Sequence, residues 1–340
     1  GLAGGYNTNL FKTVAEHMDG KVVCVLPIGR IEMAKSIALD HHAILCTYAD
    51  TLRVPAAHGE SLFDSRAQGA DIRMVYSPMD ALAVARENPD REVCFFAIGF
   101  ETTTPPTAVA LKVACREGLK NFSCFVNHVL TPAAMQHILQ SAPQNPNAPV
   151  LNGLVGPAHV STVIGSAPYE PFARDWAMPV VIAGFEPLDM LMAILMLVKQ
   201  TNEGRHEVEN EFTRAVTREG NRIAIALMDE VFERRESFEW RGLGSVPFSA
   251  LKLRDEWAEF DAEKRFDLQE IHIPDNRACA CGAILRGEKE PFECPLFGKV
   301  CTPARPIGAC MVSSEGACAA YWRYAPKSRL QAKENHNDKH

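Results

Sequence analysis

Six of the chain's eleven cysteines fall between positions 279 and 318: Cys279, Cys281, Cys294, Cys301, Cys310 and Cys318. A reduced cysteine with nothing bound is a small, oxidation-prone hydrophobe, so such a concentration points to thiolates that hold something. The gaps between these residues are one, twelve, six, eight and seven. Zinc modules favour paired knuckles with roughly two to four residues between ligands. Irregular, thiolate-only spacing with Gly and Pro between suits a four-cysteine iron-sulfur cluster better. A zinc-stapled interaction protein and a set of disulfides or thiols stay open as alternatives, separable by iron content and colour.

A second set of chemistry-bearing residues lies upstream. Two apolar runs end in the same tripeptide, Gly99-Phe100-Glu101 and Gly184-Phe185-Glu186, and His159 stands in the turn GPAHVSTVIG after a third run. In an open α/β sheet the carboxyl ends of strands are where ligand crevices form. The repeated tripeptide suggests two related halves, and Glu101, His159 and Glu186 are expected to face one cleft between them. Each Glu is also what the positive end of a helix attracts, a contribution of roughly 0.3 to 1 kcal/mol. Ser161 is expected to cap a helix beside His159, and His128 occupies an analogous place after its own run.

Several chemistries are disfavoured. The chain contains no GxGxxG, no GxxxxGK[ST] and no GxSxG, so neither a dinucleotide fold, a P-loop nor a serine-hydrolase elbow is expected. With a net charge of -7 it has no electrostatic footprint for nucleic acid. The longest apolar stretch, Met190 to Val198, is too short to span a bilayer. The reading is a cytoplasmic protein with no nucleic-acid or membrane partner.

The elements that position these residues read as α/β. Apolar runs at Ala43 to Tyr48, Asp71 to Tyr76, Val93 to Ile98, Phe122 to Val126, Val150 to Val155 and Pro179 to Ala183 predict strands covered on both faces. Helical spacing lies between them, as at Pro78 to Glu87, where Ser77 can cap and Pro78 fits the first turn. From Pro187 to about Arg235 the pattern reads as mostly helical: LDMLMAILMLVKQ, EVENEFTRAVTRE and NRIAIALMDEVFERR. The segment from Glu239 reads as an irregular link to the cysteine-rich stretch. The expected fold is two α/β domains with mainly parallel sheets plus a third, helical, cysteine-rich iron-sulfur domain. The boundaries are expected at 1-102, 103-200 and 201-340.

Seven segments carry a family resemblance: VLPIGRIE (Val25 to Glu32), YSPMDAL (Tyr76 to Leu82), GFETTTPPTA (Gly99 to Ala108), AGFEPLD (Ala183 to Asp189), EWRGLG (Glu239 to Gly244), ECPLFGKVCTP (Glu293 to Pro303) and MVSSEGACAA (Met311 to Ala320). Along almost its whole length the chain resembles HypD, a family of nickel-iron hydrogenase maturation proteins. The resemblance implies a redox-active assembly scaffold rather than a conventional enzyme, with two α/β domains and a third bearing a 4Fe-4S cluster. It implies cluster ligands at Cys281, Cys294, Cys301 and Cys318, with Cys279 and Cys310 as extras. It also implies transient iron with cyanide and carbonyl ligands, assembled with a HypC-like small chaperone and HypE. HypF and the hydrogenase large subunit are implied as indirect partners.

The chain departs from the family at its start. The motif CGGHTH falls on Ala3-Gly4-Gly5-Tyr6-Asn7-Thr8, without its cysteine and histidines. The dithiol of GPGCPVC falls on Asp19 to Cys24, where Lys21 replaces one cysteine and Cys24 survives. His159 is kept, in PAHVS rather than PGHVS. The expected site residues are therefore Cys24, Glu101, His159 and Glu186 in the cleft and the four cluster cysteines. A degenerate relative that keeps the cluster but lacks assembly activity is the alternative.

Overall fold

The computed structural model of the chain describes residues 25-141, 151-312 and 316-325. Cys24, Ala3 and Lys21 lie outside the described residues.

The first half builds a parallel sheet in the order β2-β1-β3-β4. Its elements are α1 (Ile28–Leu39), β1 (Ile44–Thr47), β2 (Ile72–Met74), α2 (Pro78–Glu87), β3 (Val93–Gly99), α3 (Thr104–Glu117) and β4 (Phe122–His128). β1, β3 and β4 are buried along their whole length. Alternation sends Leu45, Cys94, Phe96 and Phe125 into one core and Ile44, Cys46, Phe95 and Cys124 into the core on the other face. That two-sided burial is why the strands are continuous apolar runs. Each buried Phe contributes roughly 1.5 to 3 kcal/mol. α2 starts as its sequence predicts: Ser77 Oγ accepts from the Asp80 N–H at 3.3 Å, the Asp80 carboxylate accepts from the Ser77 N–H at 2.9 Å, and Pro78 fills the first turn.

β3 and β4 pair from Val93↔Phe122 to Gly99↔His128. The expected boundary at residue 102 thus falls between two hydrogen-bonded neighbours of one sheet, and residues 103-128 complete that sheet.

The second sheet is also parallel, in the order β5-β6-β7. Its elements are α4 (Thr131–Gln140), β5 (Leu154–Pro157), α5 (Ala158–Ile164), β6 (Val180–Ala183), α6 (Pro187–Glu203) and β7 (Val208–Asn210). β7 corrects the expectation of a helix over EVENEFTRAVTRE. Val208, Phe212 and Val216 mimic helical spacing, but the segment adds to the open edge of β6, pairing Val180 with Val208 and Ile182 with Asn210. Pairing along an available sheet edge overrides so short a pattern.

After this the chain returns to the first sheet. α7 (Arg222–Val231) packs on α3, and β8 (Phe232–Arg234) pairs antiparallel with β11 (Leu251–Leu253), which lies along β4. Between them β9 (Ser237–Trp240) and β10 (Gly244–Pro247) form a hairpin. Its turn uses positive φ at Gly242 (81°) and Gly244 (75°), conformations that glycine adopts without a steric penalty. These strands correct the expectation that 201-340 is helical as a whole. Arg30 from α1 ties the returning segment down: its buried guanidinium donates to Asn127 Oδ1 at 2.5 Å, to the Val126 carbonyl at 3.0 Å and to Glu263 at 2.5 Å, and lies over the Phe125 ring.

The cysteine-rich stretch follows as short turns and two small helices, α8 (Cys281–Leu285) and α9 (Ala317–Tyr324). Among the described residues no helix is long and apolar enough to cross a membrane.

Candidate functional site

Glu101 sits two residues past Gly99, where a Cβ would stand 1.5 Å from Thr103 Oγ1, so only glycine permits the turn. Its carboxylate is buried and accepts from the Thr131 N–H at 2.8 Å and from Thr131 Oγ1 at 2.9 Å. It therefore closes the first turn of α4, the helix after the neighbouring strand, and not that of its own following helix α3. Burial pushes its pKa up to about 7, against the pull of those hydrogen bonds and of Arg234. Glu101 also lines a cavity of about 970 Å³ between α4, α7 and the β8-β11 ribbon, with Phe172, Trp176, Phe232 and Arg234 among its walls.

His159 and Glu186 are not part of that lining. His159 stands in the first turn of α5, and its ring meets Phe185 at 5.1 Å, at the carboxyl ends of β5 and β6. Glu186 is exposed at the N-cap position of α6 and makes no capping bond with its side chain. The carboxylate held at this edge is Asp189, which is buried and accepts from Arg214 at 2.6 Å, while Arg214 stacks on Phe212 at 3.7 Å. So the structure brings His159 next to the Glu186 tripeptide and seats Glu101 separately. Ser161 is not the expected cap: inside α5 its Oγ donates back to the Pro157 carbonyl at 2.8 Å and meets the Tyr169 hydroxyl. His128 is buried, contacts Thr107 Oγ1 at 3.0 Å, and is pushed down to about 3 by burial. That makes it a neutral core histidine.

The thiols are more concentrated than the cleft residues. Cys279, Cys281, Cys294, Cys301, Cys310 and Cys318 share one apolar cluster with Ile284, Leu285 and Met311. Cys281 and Cys310 are joined in a disulfide. Cys279, Cys294, Cys301 and Cys318 stand outside it in the thiol form. This reverses part of the expected ligand set, because Cys281 has its sulfur engaged and Cys279, expected as an extra, has not. Two of the quartet's sulfurs accept backbone N–H groups: Cys294 from Ala280 at 3.5 Å and Cys301 from Ile307 at 3.4 Å. Burial above all, with Cys294 and Cys301 nearby, pushes the Cys279 thiol up to about 11. Without a cation the Cys279 sulfur stays protonated; a bound metal inverts that preference.

The segment between Cys301 and Cys310 is fitted to the quartet. A Cβ on Gly308 would stand 2.6 Å from Cys279 Sγ. Ile307, whose N–H serves Cys301, has its carbonyl held by Arg241 Nη2 at 3.2 Å. Arg241 is buried in the β9-β10 turn, and it also donates to the Pro55 carbonyl and to Asp275. Gly242 packs so closely on Gly282 that a Cβ on the latter would be 2.2 Å from the Gly242 carbonyl oxygen. The EWRGLG turn, expected only as an irregular link, is thus the seat of the cysteine-rich module on the first sheet. Its signal was readable as two glycines between short alternating runs.

A family profile described as HypD, "Hydrogenase formation hypA family", matches residues 12–325. The chain belongs to the HypD family. It is 61% identical over 309 residues to the hydrogenase maturation factor HypD of Cupriavidus necator, covering 91% of this chain and 82% of that one. It is 48% identical over 337 residues to the HypD of Rhodobacter capsulatus, covering 95% and 88%. With the Escherichia coli HypD the identity is 43% over 308 residues, covering 91% and 81%. Among the described residues of this HypD-family chain, no three His, Cys, Asp or Glu side chains converge closely enough to hold a single metal ion. A cubane asks for something looser, since each thiolate binds a different iron. Four thiols in one apolar cluster, two of them with N–H···S bonds, fit that donor set.

Proposed function

We propose that this chain is a hydrogenase maturation factor that works as an iron-sulfur scaffold for the Fe(CN)2CO centre of nickel-iron hydrogenases. In this reading Cys279, Cys294, Cys301 and Cys318 hold a 4Fe-4S cluster, which when bound supplies one-electron transfer. The observation that carries it is the Cys281–Cys310 disulfide inside the same apolar cluster as four thiols.

The chain's own residues account for the rest. Reduction of the Cys281–Cys310 bond takes two electrons and two protons and leaves two thiols, so the module stores electrons next to a one-electron site. The N–H groups of Ala280 and Ile307 stabilise negative charge on the sulfurs of Cys294 and Cys301. Glu101, near neutrality in its affinity for a proton, is placed to hold or release one at the wall of its cavity. The iron with its cyanide and carbonyl ligands is cargo, received in the cytoplasm with a HypC-like chaperone and HypE. Soft thiolates suit such iron, and Cys24 would be the cleft's thiol.

The test is metal analysis of anaerobically purified protein. About four iron and four acid-labile sulfide per chain are expected, since a cubane on four thiolates contains that many. Stoichiometric zinc without visible absorbance would replace this reading with a zinc-stapled interaction module.

A further inference from the structure

The helix α6 is apolar on two opposite sides. Ala193 and Leu197 pack on the second sheet with Val155, Val181 and Ala183, and Asp189 and Gln200 are buried along the same stripe. On the far side a second apolar stripe faces solvent: Leu188 is 69% exposed, Leu191 64%, Leu195 44% and Val198 38%. Met192, within the stripe, and Phe185, just before the helix, are exposed as well. A surface helix ordinarily turns a polar face outward, and one that is apolar all round is covered. A contiguous patch of this kind marks an interaction surface.

The spacing of the stripe names its occupant. Positions 188, 191, 195 and 198 lie three, four and three apart, the seam by which two helices pack side by side. Such a seam can face a copy of itself. In an antiparallel two-fold pair Leu188 meets Val198 of the second copy and Leu191 meets Leu195, so every member is covered. Charge sets the direction. Within α6 the charged residues are Asp189, Lys199 and Glu203. Asp189 is taken by Arg214 at 2.6 Å and Glu203 by Arg205 at 2.7 Å. Lys199 is exposed near one end of the stripe and Glu186 at the other, and neither makes an ion pair among the described residues. Arg214 feels the Glu186 charge, but its short contact is with Asp189. Parallel pairing would set Lys199 against Lys199. Antiparallel pairing sets each Lys199 beside the other copy's Glu186 and runs the two helix dipoles in opposite directions.

We propose that α6 is the interface of an antiparallel, two-fold dimer of this chain, in which Leu188, Leu191, Leu195 and Val198 close the seam and Lys199 of each copy pairs with Glu186 of the other. A different protein would have to supply both a matching seam and the reversed charge pair; a second copy has both. The pairing also reaches the candidate site. Glu186 follows Phe185, whose ring meets His159, so each copy lends a cation to the edge where the other holds His159. One helix seam buries on the order of 1,000 Å² in all, the small end of specific interfaces, so the dimer is a weak one that forms and parts. It stands independently of what the thiols hold.

The experiment is sedimentation velocity of the anaerobically purified full chain, from about 1 to about 200 μM, a range that brackets a micromolar Kd. A monomer–dimer equilibrium is expected, with the Kd raised about tenfold or more in Leu191→Glu/Leu195→Glu, which places four carboxylates in the seam. The altered side chains are exposed, so the denaturation midpoint of that variant should match the wild type. Glu186→Lys and Lys199→Glu should each weaken the dimer, and the two together should restore it. A wild type that stays monomeric at the highest concentration overturns the proposal, as does an equal Kd in the seam variant. Failure of the charge swap to restore pairing overturns the antiparallel register. Two further results would name another occupant and overturn the dimer. One is a dimer that appears only after deletion of residues 1-24, which would make that segment the cover. The other is a monomeric chain whose binding to a HypC-like chaperone is lost in Leu191→Glu/Leu195→Glu.

Discussion

The guanidinium of Arg241 holds the carbonyl of Ile307 at 3.2 Å, and the same guanidinium holds the carbonyl of Pro55 at 2.9 Å. One buried side chain thus joins the loop that serves Cys301 to the loop after β1 of the first sheet. Removing it leaves the buried Pro55 carbonyl and the half-buried Ile307 carbonyl without their donor and Asp275 without its cation. Arg241→Ala is expected to destabilise the chain by about 2 to 4 kcal/mol, the range for breaking a buried charged network. Arg241→Lys should not rescue it, because an ammonium lacks the planar fork that reaches three acceptors. Chemical denaturation gives the first number. Limited proteolysis gives the second readout, with cleavage expected first on either side of the cysteine-rich module.

The ligand set separates the sequence-based expectation from the structure. Ser at position 279, 294, 301 or 318 should lower iron content severely, because the quartet has no spare member. Cys281→Ser and Cys310→Ser should keep most of the iron and lose the disulfide. If Cys281→Ser loses iron as Cys294→Ser does while Cys279→Ser keeps it, the assignment from the disulfide is wrong and the motif-based one right. Gly308→Ala offers an independent check, since its new methyl meets Cys279 Sγ at 2.6 Å and must displace it.

How far this was legible from residues alone varies with what each feature depends on. β1, β3, β4 and β6 were readable because a strand buried on both faces, such as Val93 to Ile98, must be apolar at every position, whereas β2 is only partly buried and β5 begins at Leu154, near the end of its expected run. β7 was not, because Val208 to Asn210 is held only by the edge of β6, a partner no local pattern names. That the six late cysteines gather in one place was readable from their density. The choice between Cys279 and Cys281 was not, because they stand one residue apart and only the position of Cys310 decides which is engaged. Glu101 was expected in one cleft with His159 and Glu186; its partner Thr131 lies on the helix after the next strand, so its separate seat and capping role required the sheet.

Glu101 makes a pH prediction with a defined sign. Its folded pKa of about 7 stands above the ordinary carboxylate value of 4.5, so the folded chain binds the extra proton. Stability from this group is fully present below about pH 4.5 and is lost as pH rises through about 7. The loss amounts to about 3 kcal/mol as an order of magnitude, from the size of that shift. Glu101→Gln keeps an acceptor for the Thr131 N–H and cannot ionise, so it should flatten this part of the profile and exceed the wild type in stability above pH 7. Denaturant midpoints across the range measure it. A wild-type profile no steeper than that of the Gln variant would remove the buried carboxyl as the cause.

The last prediction concerns cargo. The cysteine-rich module has all four cysteines proposed as cluster ligands, whereas Ala3 and Lys21, outside the described residues, stand where the family resemblance places cysteines. An Ala methyl has no lone pair for iron, and a Lys ammonium is no substitute for a soft thiolate. The change of Cys to Ala is small in volume and a Lys can reach solvent, so folding should be little affected. The expected outcome is a chain that folds, carries its cluster and binds a HypC-like partner, yet shows weak or absent cyanide and carbonyl stretches in infrared spectra after co-purification with HypC, HypE and HypF. Ala3→Cys with Lys21→Cys should raise those bands while leaving iron and sulfide in the module unchanged. Bands of full intensity in the unaltered chain would show that Cys24 and the remaining cleft groups suffice to hold the iron, and would make the missing thiols irrelevant to assembly.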